Sequence, residues 1–169
     1  HGYLAAPFGS SVGGNHWIGG DIWNVALDDT EAALAALRAH PRCNGRVGVY
    51  GWSRGGEHAL LAAGLMARAG SPHLPDAVAA HAPPDRVAGA WRNLFYRHRE
   101  AGEPIRPPPT WGFDETREVA GAAAWTWRGA PVAEDAPIPI EAFDGPVFLS
   151  VGEADELWRQ NRKWYAMAI

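Results

Sequence analysis

The chain has 169 residues, 47% of them hydrophobic and 20% charged, enough for one domain with a core of its own. A net charge of −4, a pI near 6.0 and scattered arginines give no electrostatic footprint for nucleic acid or an anionic membrane. No apolar stretch approaches the about 18 residues of a membrane span, and the single Cys43 makes neither an internal disulfide nor a zinc-site spacing with a histidine, which fits a reducing, cytoplasmic setting.

In chain order, residues 2–7 read as a short buried strand, and the glycine-rich FGSSVGGNHWIGGD after it as a loop. Trp23, Leu27, Leu34 and Leu37 then recur at helical spacing, with Asp28, Asp29 and Glu31 near the front, Arg38 and His40 at the end, and Pro41 as the stop. Residues 46–50 predict a second strand with alternating Val47 and Val49, and residues 57–67 an Ala/Leu-rich helix broken by GSPHLP. A third strand is expected over 76–82 and a fourth, continuously apolar, over 146–151, running into GEADELW and a last helical pattern.

Residues 83–139 show no clean period and carry a proline cluster at 107–109. They are expected to form an irregular segment. Strands alternating with helices predict an α/β domain, its mostly parallel sheet covered by helices on both faces. The chain enters an apolar run at His1 and stops at KWYAMAI within a helical pattern. Both ends read as cuts, so the expectation is a single partial domain over 1–169, an internal piece of a longer protein.

Gly51-Trp52-Ser53-Arg54-Gly55 carries the chemistry. Gly-x-Ser-x-Gly alone is a weak pattern, but here a strand precedes it, a helix follows it, and Gly56 lets that helix pack close. This is the context of a nucleophile elbow, in which a sharp strand-to-helix turn exposes the serine. The alternative is an ordinary serine in a glycine-rich corner. A hydroxyl needs an adjacent base, and the base an orienting acid, in the chain order Ser, acid, His.

Asp155, with Glu153 as runner-up and Glu156 beside it, stands where the acid belongs, at the carboxyl end of the fourth strand. The competing reading is a solvated acidic turn at a helix start. None of the seven histidines follows Asp155, so the base is expected beyond Ile169. His81, at the end of the third strand, is the only local substitute near Ser53, and its chain order is wrong for this architecture. His58 falls inside the helix after the elbow, and His1, His16, His40, His73 and His98 fall in loops or at element ends. The backbone N–H of Arg54 is one expected oxyanion donor; the other would come from a loop before His1. The isolated chain is therefore expected to be inactive.

These segments resemble the α/β-hydrolase superfamily, most closely the C-terminal domain of the acyl-CoA thioester hydrolase / bile acid-CoA:amino acid N-acyltransferase family. HPRCNGRVGVYGWSRGGEHALLAA is similar to that family's elbow, DAVAAHAPPDRVAGAW to the next strand and the start of its insertion, AAAWTWRGAPV to a Trp-x-x-x-Gly-x-Pro segment, and IPIEAFDGPVFLSVGEADELW to its acid strand. The likeness covers residues 40–169. Before that, PFGSSVGGNHWIGGDIWNVALDD is closer to dienelactone-hydrolase and prolyl-oligopeptidase-like domains, and Ala154 and Arg159 depart from the usual acid turn.

The resemblance implies a serine hydrolase that cleaves acyl thioesters or esters through a Ser53 acyl-enzyme, with Asp155 as the triad acid and neither cofactor nor metal. It implies a small-molecule acyl ester or acyl-CoA as substrate, and no nucleic-acid or membrane partner. It implies that residues 83–139 form a lid-like insertion, with Trp52, Trp91 and Trp125, and also Trp111 and Trp127, as candidates to line an acyl pocket; packing of the insertion onto the core is the alternative for its tryptophans. The rival functions are a dienelactone-hydrolase-like carboxylesterase, acyl transfer to an amine, and a non-catalytic hydrolase-like binding module.

Overall fold

The computed structural model describes residues 5–9, 12–15, 18–90 and 121–152. In chain order they form β1 (Val12–Asn15), β2 (Ile18–Asp21), β3 (Val25–Ala26), α1 (Asp28–Ala39), β4 (Gly48–Trp52), α2 (Arg54–Arg68), β5 (Ala77–His81), β6 (Trp125–Trp127), β7 (Ala130–Pro131), a 3₁₀ turn (Ile140–Ala142) and β8 (Val147–Ser150). The result is a mixed α/β fold with two helices among the described residues and parallel strand pairing in two sheets.

The principal sheet has the order β4-β5-β8 and is wholly parallel, with Tyr50 beside Ala79 and Ala79 beside Phe148. Helix α2 makes the crossover from β4 to β5 and covers one face. Its apolar side is unusually broad: Ala59, Leu60, Leu61, Ala62 and Ala63 are all buried, packed with Val78 and Ala80 of β5 and with Leu27, Trp125, Ile138 and Phe143. A helix apolar on nearly every side must be enclosed on nearly every side, and here the 3₁₀ turn and the 121–143 region enclose it.

Helix α1 is held differently. Only Thr30 and Leu34 are buried on it, and Leu34 joins Val47 and Met66 in a small second cluster. Arg38 reaches the carbonyl of Leu74 and, at 2.8 Å, the carboxylate of Asp76, which also accepts the amide of Val47 at 2.8 Å. The helix ends as expected: His40, next to Pro41, is extended.

Several expectations shift. The segment expected as a glycine-rich loop contains the antiparallel hairpin β1–β2, because backbone pairing needs no side-chain pattern. Residues 5–9 carry no regular structure where a strand was expected, and residues 2–4 lie outside the described set. Helix α1 starts at Asp28, well after Trp23: the amides of Asn24, Val25 and Leu27 bond the carbonyls of Ala123, Ala124 and Thr126, which draws this stretch into a second sheet, β3-β6-β7. Strand β4 runs on to Trp52 and α2 begins at Arg54, so a single residue turns the chain.

The segment without a clean period is partly regular. Val87 and Asp135 pair backbone to backbone across its two ends, and β6 and β7 lie within it. Cover on both sheet faces is met on one face only among the described residues. Tyr50 (72% exposed), Trp52 (67%) and Phe148 (66%) line the other. The β4-α2-β5 crossover lies on the covered face, and α1 packs against α2 and Val47.

Candidate active site

Ser53 is the one-residue turn between β4 and α2. Its backbone sits at φ 52°, ψ −120°, a region that side chains other than glycine's rarely enter, and its side chain is exposed. Such strain costs about 1–3 kcal/mol and persists only where the surroundings over-determine it. The Ser53 amide donates to the carbonyl of His81 at 2.8 Å, carrying the β4–β5 ladder one step further, and the Ser53 carbonyl accepts the Glu57 amide at 3.0 Å.

The glycines explain how the turn closes. A Cβ on Gly51 would lie 1.9 Å from the carbonyl oxygen of Gly55, so the last turn of strand and the first turn of helix touch backbone to backbone. A Cβ on Gly56 would meet Cβ of Pro83 at 3.1 Å and of Ala80 at 3.4 Å, which keeps α2 close to β5. Gly55, the second glycine of the motif, faces open space.

The geometry puts the Ser53 hydroxyl at the positive end of a 15-residue helix and at the carboxyl end of a parallel sheet. The Arg54 N–H, at the first helical position, has no carbonyl to meet within the helix. Helix dipole and free amide both favour negative charge developing next to Ser53. The Arg54 side chain turns the other way, into the protein. Its guanidinium donates to Glu57 Oε2 at 2.6 Å and to the Gly89 carbonyl at 3.0 Å, and lies 5.2 Å from the centre of a Trp125 ring.

Glu57 is fully buried, and its Oε1 accepts the Trp125 indole N–H at 2.7 Å and the Ala88 amide at 2.9 Å. Burial pushes the Glu57 carboxyl up and the Arg54 guanidinium down, and the pair opposes both shifts by stabilising the two charged forms together.

His81 meets Ser53 through its main chain only. Its Nδ1 shares a 2.9 Å hydrogen bond with the Ser150 hydroxyl, and its ring centre stands 6.5 Å from that of Trp52. Among the described residues, no histidine ring hydrogen-bonds the Ser53 hydroxyl. His58 is buried behind the site. Its Nε2 pairs with the Thr30 hydroxyl at 2.5 Å, its Nδ1 has no partner among the described residues, and its ring stands edge-on to Trp125 and Phe8. Burial lowers its pKa to about 4.

Of the site residues expected from sequence, Ser53, Arg54 and Trp52 come together at the end of β4, and Trp52 is exposed beside His81. Trp125 is fully enclosed, its ring a wall between α2 and β3 and its indole nitrogen taken by Glu57. Asp155, Glu153, Glu156, Trp91 and Trp111 lie outside the described residues, as do His1, His16 and His98. Among the described residues no cluster of His, Cys, Asp or Glu has the makings of a metal site, and no helix is long and apolar enough to cross a membrane.

Sequence reasoning missed the Glu57–Arg54–Trp125 cluster. The signal was available: Glu57 and His58 are adjacent polar residues inside a run otherwise made of Gly, Ala and Leu, and a helix buried on every side has no solvent face on which to put them. No family model matches the chain, and no curated protein matches it significantly.

Proposed function

We propose that the chain is the nucleophile-bearing part of an α/β-hydrolase domain, acting as a cytoplasmic serine hydrolase on acyl thioesters or esters without cofactor or metal. The observation that carries this reading is the backbone of Ser53: a non-glycine residue held at φ 52°, ψ −120° between a parallel strand and a helix, with its side chain exposed. A structural corner has no need of a serine in a strained conformation, since glycine adopts it without steric strain. A nucleophile does.

In this mechanism Ser53 Oγ attacks the acyl carbonyl carbon while a base takes its proton. The oxyanion of the tetrahedral intermediate meets the Arg54 N–H and the α2 terminus. Collapse expels the thiol or alcohol, which leaves with the proton, and Ser53 keeps the acyl group. Water, activated by the same base, adds to the ester and releases the acid. Asp155 orients the base, expected to be a histidine. Trp52, exposed beside His81 at the end of β4, is the candidate to meet the acyl chain.

The test is covalent. In the complete parent protein, a fluorophosphonate probe labels Ser53, and Ser53→Ala abolishes labelling and lowers acyl-CoA or ester turnover by about 10³-fold or more. Full activity in that variant would overturn the mechanism. Comparing an acyl-CoA with a short p-nitrophenyl ester separates the thioesterase from a dienelactone-hydrolase-like carboxylesterase. One observation favours a non-catalytic binding module: the His81 ring, next to the elbow, is bonded to Ser150 and not to Ser53. That reading predicts no labelling of Ser53 at all.

A further inference from the structure

The strained backbone of Ser53 needs something to hold it, and the first turn of α2 contains the means. Glu57 connects three parts of the molecule that are remote in sequence. Its amide bonds the Ser53 carbonyl at 3.0 Å, its Oε2 takes the Arg54 guanidinium at 2.6 Å, and its Oε1 takes the Ala88 amide and the Trp125 indole at 2.9 and 2.7 Å. Arg54 closes the circuit by donating to the Gly89 carbonyl at 3.0 Å. The residue next to the nucleophile and the residue four after it are thus fixed to the 88–89 backbone and to β6.

An ion pair is an expensive way to fill a core. Apolar residues of similar volume usually stabilise as well or better, while removal of one partner leaves an uncompensated charge. The rest of this helix shows the cheaper solution, five consecutive buried Ala and Leu residues from Ala59 to Ala63. Apolar packing is non-directional, so it tolerates small rotations of the helix about its axis. Four hydrogen bonds with fixed angles do not. The ionic cluster occupies the turn where such a rotation would swing the Arg54 N–H and release the Ser53 backbone.

We propose that Glu57, acting with Arg54, is a positioning residue for the nucleophile, locking the first turn of α2 so that Ser53 keeps its turn geometry and the Arg54 amide stays aimed at the reacting carbonyl. This rests on the reading of Ser53 as a nucleophile. Glu57 touches no substrate and transfers no proton.

The test uses Glu57→Gln in the complete protein. Glutamine keeps its one oxygen for Ala88 and Trp125 and turns its amide NH₂ towards Arg54, so the charge that holds the guanidinium is gone and two donors face each other. Expected are a 10- to 100-fold fall in kcat with KM within about twofold, and a parallel fall in the rate of Ser53 phosphonylation in the folded fraction. Trp125→Phe removes one hydrogen bond and keeps the ring, so it remains informative if Glu57→Gln fails to fold; a three- to tenfold slower phosphonylation is expected. Wild-type rates in folded Glu57→Gln, or in Trp125→Phe if Glu57→Gln does not fold, would overturn the positioning role and leave the nucleophile intact. Failure of wild-type Ser53 to react with the probe overturns both, which distinguishes the two failures.

Discussion

The Trp125 indole N–H and the Glu57 carboxylate, 68 residues apart in the chain, meet in a fully buried hydrogen bond of 2.7 Å. This bond fastens β6 to the elbow helix. Without it the carboxylate keeps its arginine and the Ala88 amide, but one acceptor position in the core is emptied. Trp125→Phe is expected to destabilise the fold by about 1–3 kcal/mol, the cost of an unsatisfied buried group. Trp125→Ala adds a cavity, for a total of about 3–5 kcal/mol. Urea denaturation with an unchanged m-value checks both.

The two glycines of the Gly-x-Ser-x-Gly motif have unequal roles. A methyl group on Gly51 would sit 1.9 Å from the Gly55 carbonyl oxygen, whereas one on Gly55 meets nothing within 4 Å. Gly51→Ala therefore has to open the turn, and is expected to cost at least about 3 kcal/mol or prevent folding. Gly55→Ala lies in a helix and is expected to be neutral or to stabilise by about 0.5–1 kcal/mol. Equal destabilisation by the two substitutions would contradict this geometry of the elbow.

His58 makes stability depend on pH. Its folded pKa is lowered by burial to about 4, from an ordinary value of 6.5. Between those values the unfolded chain binds the proton and the folded one does not, so this contribution is complete above pH 6.5 and is lost as pH falls towards 4. The full loss is on the order of 3 kcal/mol. Glu57 acts in the opposite sense: its raised pKa means that the folded state takes up a proton first on acidification, adding stability as pH falls. His58→Gln isolates the histidine. Its stability is expected to vary less between pH 7 and pH 4 than that of the parent, in denaturant titrations at each pH.

Among the described residues, the sheet face opposite α2 carries an exposed aromatic row. Tyr50 and Phe148 flank Ala79, and Trp52 stands next to His81 in the following row. An exposed apolar face of this kind promotes association in water. The chain 1–169 alone is expected to self-associate at micromolar concentration, and Tyr50→Lys with Phe148→Glu to lower that tendency without loss of secondary structure. Light scattering against concentration, with circular dichroism as the control, decides it.

Sequence alone determined the elements that local chemistry dictates. The alternation of Val47 and Val49, the Ala/Leu run after Gly56 and the Pro41 stop place β4, α2 and the end of α1 within a few residues of where they stand. The spacing of Gly51, Ser53 and Gly56 marked the turn, because a tight strand-to-helix reversal restricts which residues fit at each position. What the tertiary structure decided depends on partners distant in the chain. Trp125 became a buried donor to Glu57. Residues 24–27 became a strand neighbour of β6 instead of the front of a helix. The imidazole of His81 turned to Ser150 while its carbonyl went to Ser53. Periodicity carries one residue's preference for inside or outside. Which buried donor meets which buried acceptor is settled only when the strands take their register and the helix its face.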